Sequence, residues 1–143
     1  MKKFELTTES IIFKGRKLFR IKALISFGNV KAGDLGGYVE KESNLEQSGD
    51  AWVYGDARVY GNALVYGDAR VSGDADYTTI KGFGTCFRTT TFFRCKDKMV
   101  RVVCGCFYGT IPEFREQVKK TREGKIAEEY LMIADLMEKH FSE

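Results

Sequence analysis

The sequence predicts a mainly β fold: a short β-helix of two to three coils, preceded by a β-hairpin cap and followed by a β-hairpin plus two α-helices. Three observations carry that reading. A six-residue repeat runs through residues 49–76, apolar alternation breaks at Lys14-Gly15, and helical periodicity starts behind a capping box at Thr110. The corresponding organisation is residues 1–33 as the N-terminal cap, 34–80 as the repeat and 81–143 as the C-terminal cap. A chain of 143 residues supports one continuous core and is short for two.

The first element is a hairpin over residues 11–24, in which Ile11 to Phe13 turn at Lys14-Gly15 into Lys17 to Leu24. Alternation puts Phe19, Ile21 and Ala23 on one face and Arg20 and Lys22 on the other.

Next comes the repeat: Gly49-Asp50-Ala51-Trp52-Val53-Tyr54, then Gly55-Asp56-Ala57-Arg58-Val59-Tyr60 and Gly61-Asn62-Ala63-Leu64-Val65-Tyr66. Gly67-Asp68-Ala69-Arg70-Val71-Ser72 and Gly73-Asp74-Ala75-Asp76-Tyr77-Thr78 follow. Ala and Val, two apart, face one side of a strand, and each Gly-Asp/Asn pair supplies a turn because Gly accepts positive φ and Asp or Asn bonds its own backbone. Three hexads close one coil of about 18 residues, so residues at that spacing should stack. Val53 then meets Val71, Ala51 meets Ala69, Trp52 falls beside Arg70 and Arg58 beside Asp76. Upstream the rhythm slips by two residues, which places Leu45 with Val65 and Val39 with Val59. An antiparallel meander is the competing reading, disfavoured by the short strands and the strict hexad.

These units resemble the bacterial transferase hexapeptide repeats of left-handed β-helix proteins. The flanks Leu18-Phe19-Arg20-Ile21-Lys22-Ala23-Leu24, Gly33-Asp34-Leu35-Gly36-Gly37-Tyr38-Val39, Thr89-Thr90-Thr91-Phe92-Phe93 and Cys104-Gly105-Cys106-Phe107 are similar to small phage and prophage proteins carrying such repeats. The left hand of the coil, assembly into a homotrimer and a host-cell cytoplasmic location are implied by the resemblance alone. So is acyl transfer, in which a histidine near the coil acts as general base. The single histidine here is His140, outside the repeat.

After the repeat, Thr89 to Cys95 and Val100 to Phe107 read as a hairpin around Asp97-Lys98, with Cys95 opposite Val100 and Cys104 opposite Thr91. Thr110 and Glu113 form a capping box around Pro112, Ile111, Phe114 and Val118 make the apolar stripe, and Gly124 ends that helix. Ile126, Tyr130, Ile133, Met137 and Phe141 mark a final helix. The two helices are expected to lie on the hairpin and close the open end of the coil, whose strand edges need covering.

The net charge of +3 is too small to imply bulk nucleic-acid binding. No apolar stretch reaches the roughly 20 residues of a membrane span, and Glu5 and the polar run from Thr7 to Ser10 interrupt any signal-peptide core, so a cytoplasmic chain is expected. Four cysteines, Cys86, Cys95, Cys104 and Cys106, could satisfy tetrahedral zinc but lack a C-x2-C knuckle, and buried free thiols packed with Phe92 and Phe107 are preferred. Asp50, Asp56, Asp68 and Asp74 read as turn residues. No cofactor is implied.

What remains is recognition. Arg58, Arg70, Arg88, Arg94 and Arg101, interleaved with Tyr60, Phe93 and Tyr108, could pair with phosphate and stack on a base. The expectation is a non-enzymatic phage-type binding protein that sequesters a small phosphorylated ligand, such as a nucleotide immune signal, or occludes a host protein. An acyltransferase and a structural assembly module are the alternatives.

Overall fold

Lys14 and Gly15 both take positive φ, 51° and 78°, so the chain reverses in two residues and sets β1 (Phe4–Phe13) antiparallel to β2 (Arg16–Ala23). The structure, a computed structural model, describes residues 2–142, with Asp74 described by its backbone alone, so the turn role expected of the Asp74 side chain lies outside it. β1 starts seven residues before the expected hairpin because Phe4, fully buried against Trp52, anchors it.

β3 (Leu35–Val39) continues the sheet antiparallel to β2. The repeat then contributes three strands of two residues each: β4 (Trp52–Val53), β5 (Arg58–Val59) and β6 (Arg70–Val71). β5 pairs in parallel with β3, Val39 opposite Val59, and β4 pairs in parallel with β6, Trp52 opposite Arg70 and Val53 opposite Val71. Leu45 and Val65 meet in a single parallel bridge. The residue spacings read from the hexad are therefore those of the structure. Arg58, however, lies over the Phe13 ring, while Asp76 accepts from the Ser72 N–H and pairs with Arg94.

The predicted left-handed β-helix is not what these strands build. They are divided among separate sheets: a mixed sheet in the order β1-β2-β3-β5, the isolated pair β4-β6, and an antiparallel sheet formed downstream. The physical reason lies in strand length. Two-residue strands make few ladder bonds, whereas the long N-terminal hairpin makes many and, through β3, draws β5 of the second hexad into its own sheet. The repeat also fails at its end: Gly49, Gly55, Gly61 and Gly67 have φ of 73°, 58°, 67° and 63°, but Gly73 is extended and a 3₁₀ turn follows at Asp74–Asp76.

From there β7 (Tyr77–Phe83), β8 (Arg88–Arg94), β9 (Val100–Cys104) and β10 (Phe107–Thr110) form an antiparallel sheet in the order β10-β9-β8-β7. The β8–β9 register is one residue off the expected one: Arg94 faces Val100 and Thr91 faces Val103. The loop is longer than two residues, because Cys95 bonds Met99 across it.

Thr110 caps α1 (Ile111–Thr121) with the reciprocal Glu113 bonds of a capping box. α1 stops at Thr121, and Gly124, expected to end it, instead opens α2 (Gly124–His140). Both helices bury their stripes on one face of the second sheet, around Phe92, Val102, Phe114, Tyr130 and Ile133. The other face of that sheet, through Phe93, Val103 and Cys95, joins the core of the repeat and the N-terminal sheet. It is thus the sheet, not the helices, that covers the repeat. Among the described residues, no helix is long and apolar enough to cross a membrane.

Candidate functional site

Arg88 leaves the first position of β8 and reaches across the turn joining β9 to β10. Gly105 makes that path possible: its φ of 61° suits the tight turn, and a Cβ there would overlap the Arg88 guanidinium. On the helix side, Arg122 follows the last turn of α1, its N–H bonded to the Val118 carbonyl and its backbone extended. Its Nη1 donates to the Thr121 carbonyl at 3.2 Å, and its Nε is buried with no protein acceptor. Tyr130 of α2 brings its hydroxyl over Gly84, where a side chain would collide with it.

These residues enclose a groove of about 230 Å³, lined by Arg88, Arg122, Tyr130 and Phe107 with Cys104 and Cys106. On the other side of Arg88 lies a second groove of about 440 Å³, lined by Lys41, Lys81, Arg88, Asn62 and the exposed Phe87. Four cations thus border two grooves that meet at Arg88, and neither lining includes a carboxylate. Arg16, Arg20, Arg94, Arg101 and Arg115 are each paired with Asp or Glu, whereas Arg70, Arg88 and Arg122 have no such partner among the described residues, and of these Arg88 and Arg122 line the grooves.

Burial raises the Tyr130 hydroxyl above its ordinary pKa, and the neighbouring Cys104 thiol adds to the effect. Cys104 also accepts from the Thr90 hydroxyl at 3.3 Å. The expectation of uniformly buried thiols does not hold. Cys95 is buried and its thiol is pushed up to about 11 by desolvation, but Cys86 and Cys106 are exposed. Among the described residues, no three His, Cys, Asp or Glu side chains gather where they could hold a metal ion. His140 is exposed on the last turn of α2, edge-on to Phe141.

The eight residues singled out from the sequence are dispersed. Only Arg88 borders the two grooves. Arg58 lies over the Phe13 ring at 4.0 Å, and Tyr60 packs 5.5 Å from the same ring beside a separate recess of about 300 Å³. Arg70 is exposed opposite Trp52. Phe93 is fully buried, with Tyr108 tilted against it at 6.3 Å. Arg94 bridges Asp76 to the Phe141 carbonyl and ring, and Arg101 pairs with Asp97 at 2.8 Å.

Lys41, Lys81, Phe87, Arg122 and Tyr130 were missed. A signal existed for Lys81: once β7 is paired with β8, Lys81 faces Thr89 and so lies beside Arg88. Arg122 and Tyr130 come from the helices, and nothing local announces their approach to the hairpin.

No protein-family model and no curated protein matches the chain. Its functional reading rests on the chemistry of these grooves.

Proposed function

We propose that the protein binds a small phosphorylated ligand, a nucleotide or related anion, on the face centred on Arg88. The observation that carries this reading is the convergence of Lys41, Lys81, Arg88 and Arg122 on two adjoining grooves without a lining carboxylate. Like charges held together without counterions oppose folding, and an anion removes that cost on binding. The buried, unpartnered Arg122 Nε adds to the argument, because an unmade hydrogen bond at such a donor costs about 1–3 kcal/mol and an acceptor in the groove recovers it. Arg pairs with two phosphate oxygens at once, and the exposed Phe87 ring offers a stacking surface for a base. Sequestration of a nucleotide signal is the biological form this binding would take, with the ligand held and not turned over.

Isothermal titration with adenosine triphosphate and with adenosine tests the reading. The triphosphate is expected to bind and the nucleoside to give no measurable heat. Arg88→Gln and Arg122→Gln should each weaken the triphosphate by about tenfold or more, and added salt should weaken it further. Nucleotide recovered unchanged after long incubation fits binding without turnover. Absence of heat and of thermal stabilisation with every nucleotide and with pyrophosphate would remove the proposal.

A further inference from the structure

α2 has two unlike sides. Tyr130, Ile133, Ala134 and Met137 are buried in the core beneath it, and Arg115 of α1 holds one flank through Asp135 and Glu138 at 2.8 and 3.0 Å. The side turned away carries Met132 and Leu136, 69% and 57% exposed, the two large apolar side chains that the helices leave in the open among the described residues. Lys125, Glu129, Met132, Leu136 and Lys139 follow one another there at steps of four, three, four and three residues, the spacing of a stripe that meets another helix. Lys125, Glu129 and Lys139 make no ion pair among the described residues, so nothing within the chain uses their charge.

The order of charge along the stripe selects the occupant. An acid stands one step before the apolar pair and a base one step after it. When a second α2 runs antiparallel about a two-fold axis between Met132 and Leu136, Met132 meets Leu136 of the second copy and Glu129 meets its Lys139, and both pairs occur twice. A parallel pairing would set Glu129 against Glu129 and Lys139 against Lys139. We propose that the protein self-associates as an antiparallel two-fold dimer through this side of α2. The helix has 17 residues and is about 25 Å long, enough to carry the whole stripe. So small a contact is weak, and a reversible equilibrium with Kd on the order of 10 μM is expected. The groove at Arg88 is lined from the opposite side of α2, through Tyr130, so neither proposal depends on the other.

Sedimentation of the full chain from about 1 to 300 μM tests the dimer. The mass should rise with concentration from the 16.2 kDa of one chain toward twice that value. Glu129→Lys and Lys139→Glu each place like charges opposite one another and should each weaken the dimer by about tenfold or more. The double variant, which exchanges the two charges, should recover it, and an equimolar mixture of the two single variants should form mixed dimers. Leu136→Ala should also weaken association. Melting midpoints of all these variants at low concentration are expected to match that of the unaltered chain, because the replaced side chains lie outside the core. A monomer at every concentration, a dimer or trimer indifferent to the charge reversals, or a double variant that does not recover would each overturn the proposal.

Discussion

Asn44 is buried in the core of the repeat with both ends of its amide engaged. Its Oδ1 accepts from the Lys41 N–H at 3.0 Å, and its Nδ2 donates to the Gly61 and Ala63 carbonyls at 3.1 and 2.9 Å. Asn44→Leu keeps the branched shape and strands three backbone groups, so it should cost about 2–4 kcal/mol, read as a lower urea midpoint at unchanged slope. The two-residue slip in the hexad, between Leu45 and Val53, was legible in the sequence; the 3₁₀ turn at Glu42–Asn44 lies just before it, within the regular six-residue step from Val39 to Leu45. The task of Asn44 was not, because the carbonyls it holds are 17 and 19 residues away. The same holds at the grooves: Arg88 could be singled out as a cation, but its lack of a carboxylate partner depends on where every Asp and Glu folds.

At the level of elements, β3 shows why a glycine pair stands where the first sheet meets the repeat. A Cβ on Gly37 would lie 2.5 Å from the Ala57 carbonyl oxygen and 2.7 Å from Val53 Cγ1, and one on Gly36 would lie 2.6 Å from the Val53 carbonyl oxygen. These obstacles are largely backbone, and β3 cannot retreat because Tyr38 bonds the Ala57 carbonyl on one side while Phe19 pairs with Val39 on the other. Gly37→Ala should therefore destabilise by about 3 kcal/mol or more, whereas Gly73→Ala, at an extended residue with open space around its Cβ, should stay within about 0.5 kcal/mol. Thermal melts of the two variants side by side check the contrast. The turns between repeat strands are held across rows as well, since Glu40 accepts from the Gly61 N–H at 2.7 Å and Glu46 from the Gly67 N–H at 2.9 Å.

Across the whole molecule, two buried groups in the shared core set opposite pH dependences. Lys3 is buried under the Phe27 ring, with its ammonium donating to the Ser48, Gly49 and Ala51 carbonyls, and desolvation lowers its pKa to about 8. Below that pH both folded and unfolded chains carry the proton, and the burial cost is fully present. Between about 8 and the ordinary lysine value the unfolded chain holds more protons, so stability rises with pH. Cys95 acts in the other sense: its thiol is pushed up to about 11, so above its ordinary value the folded chain keeps a proton that the unfolded chain releases, and stability falls as pH rises. Burial raises Tyr54, Tyr108 and Tyr130 in the same direction as Cys95. Urea midpoints should climb from about pH 8 to 9, level off where the Lys3 and Cys95 slopes oppose each other, and turn down above about pH 10, and Lys3→Met should abolish the climb so that the fall begins at about pH 9.

Local patterns were enough to determine the β-rich composition, the Lys14-Gly15 reversal, the Thr110 capping box and the pairing of Val53 with Val71. Each depends on residues a turn apart or on a strict repeat. The partition into sheets was decided only in three dimensions. Whether a short strand joins a coil or a neighbouring hairpin is a competition for hydrogen bonds and buried surface, and here the longer hairpins won. The grooves around Arg88 follow from that partition: one helix end, one helix face, a 3₁₀ loop and two hairpin turns converge there, far apart in the chain.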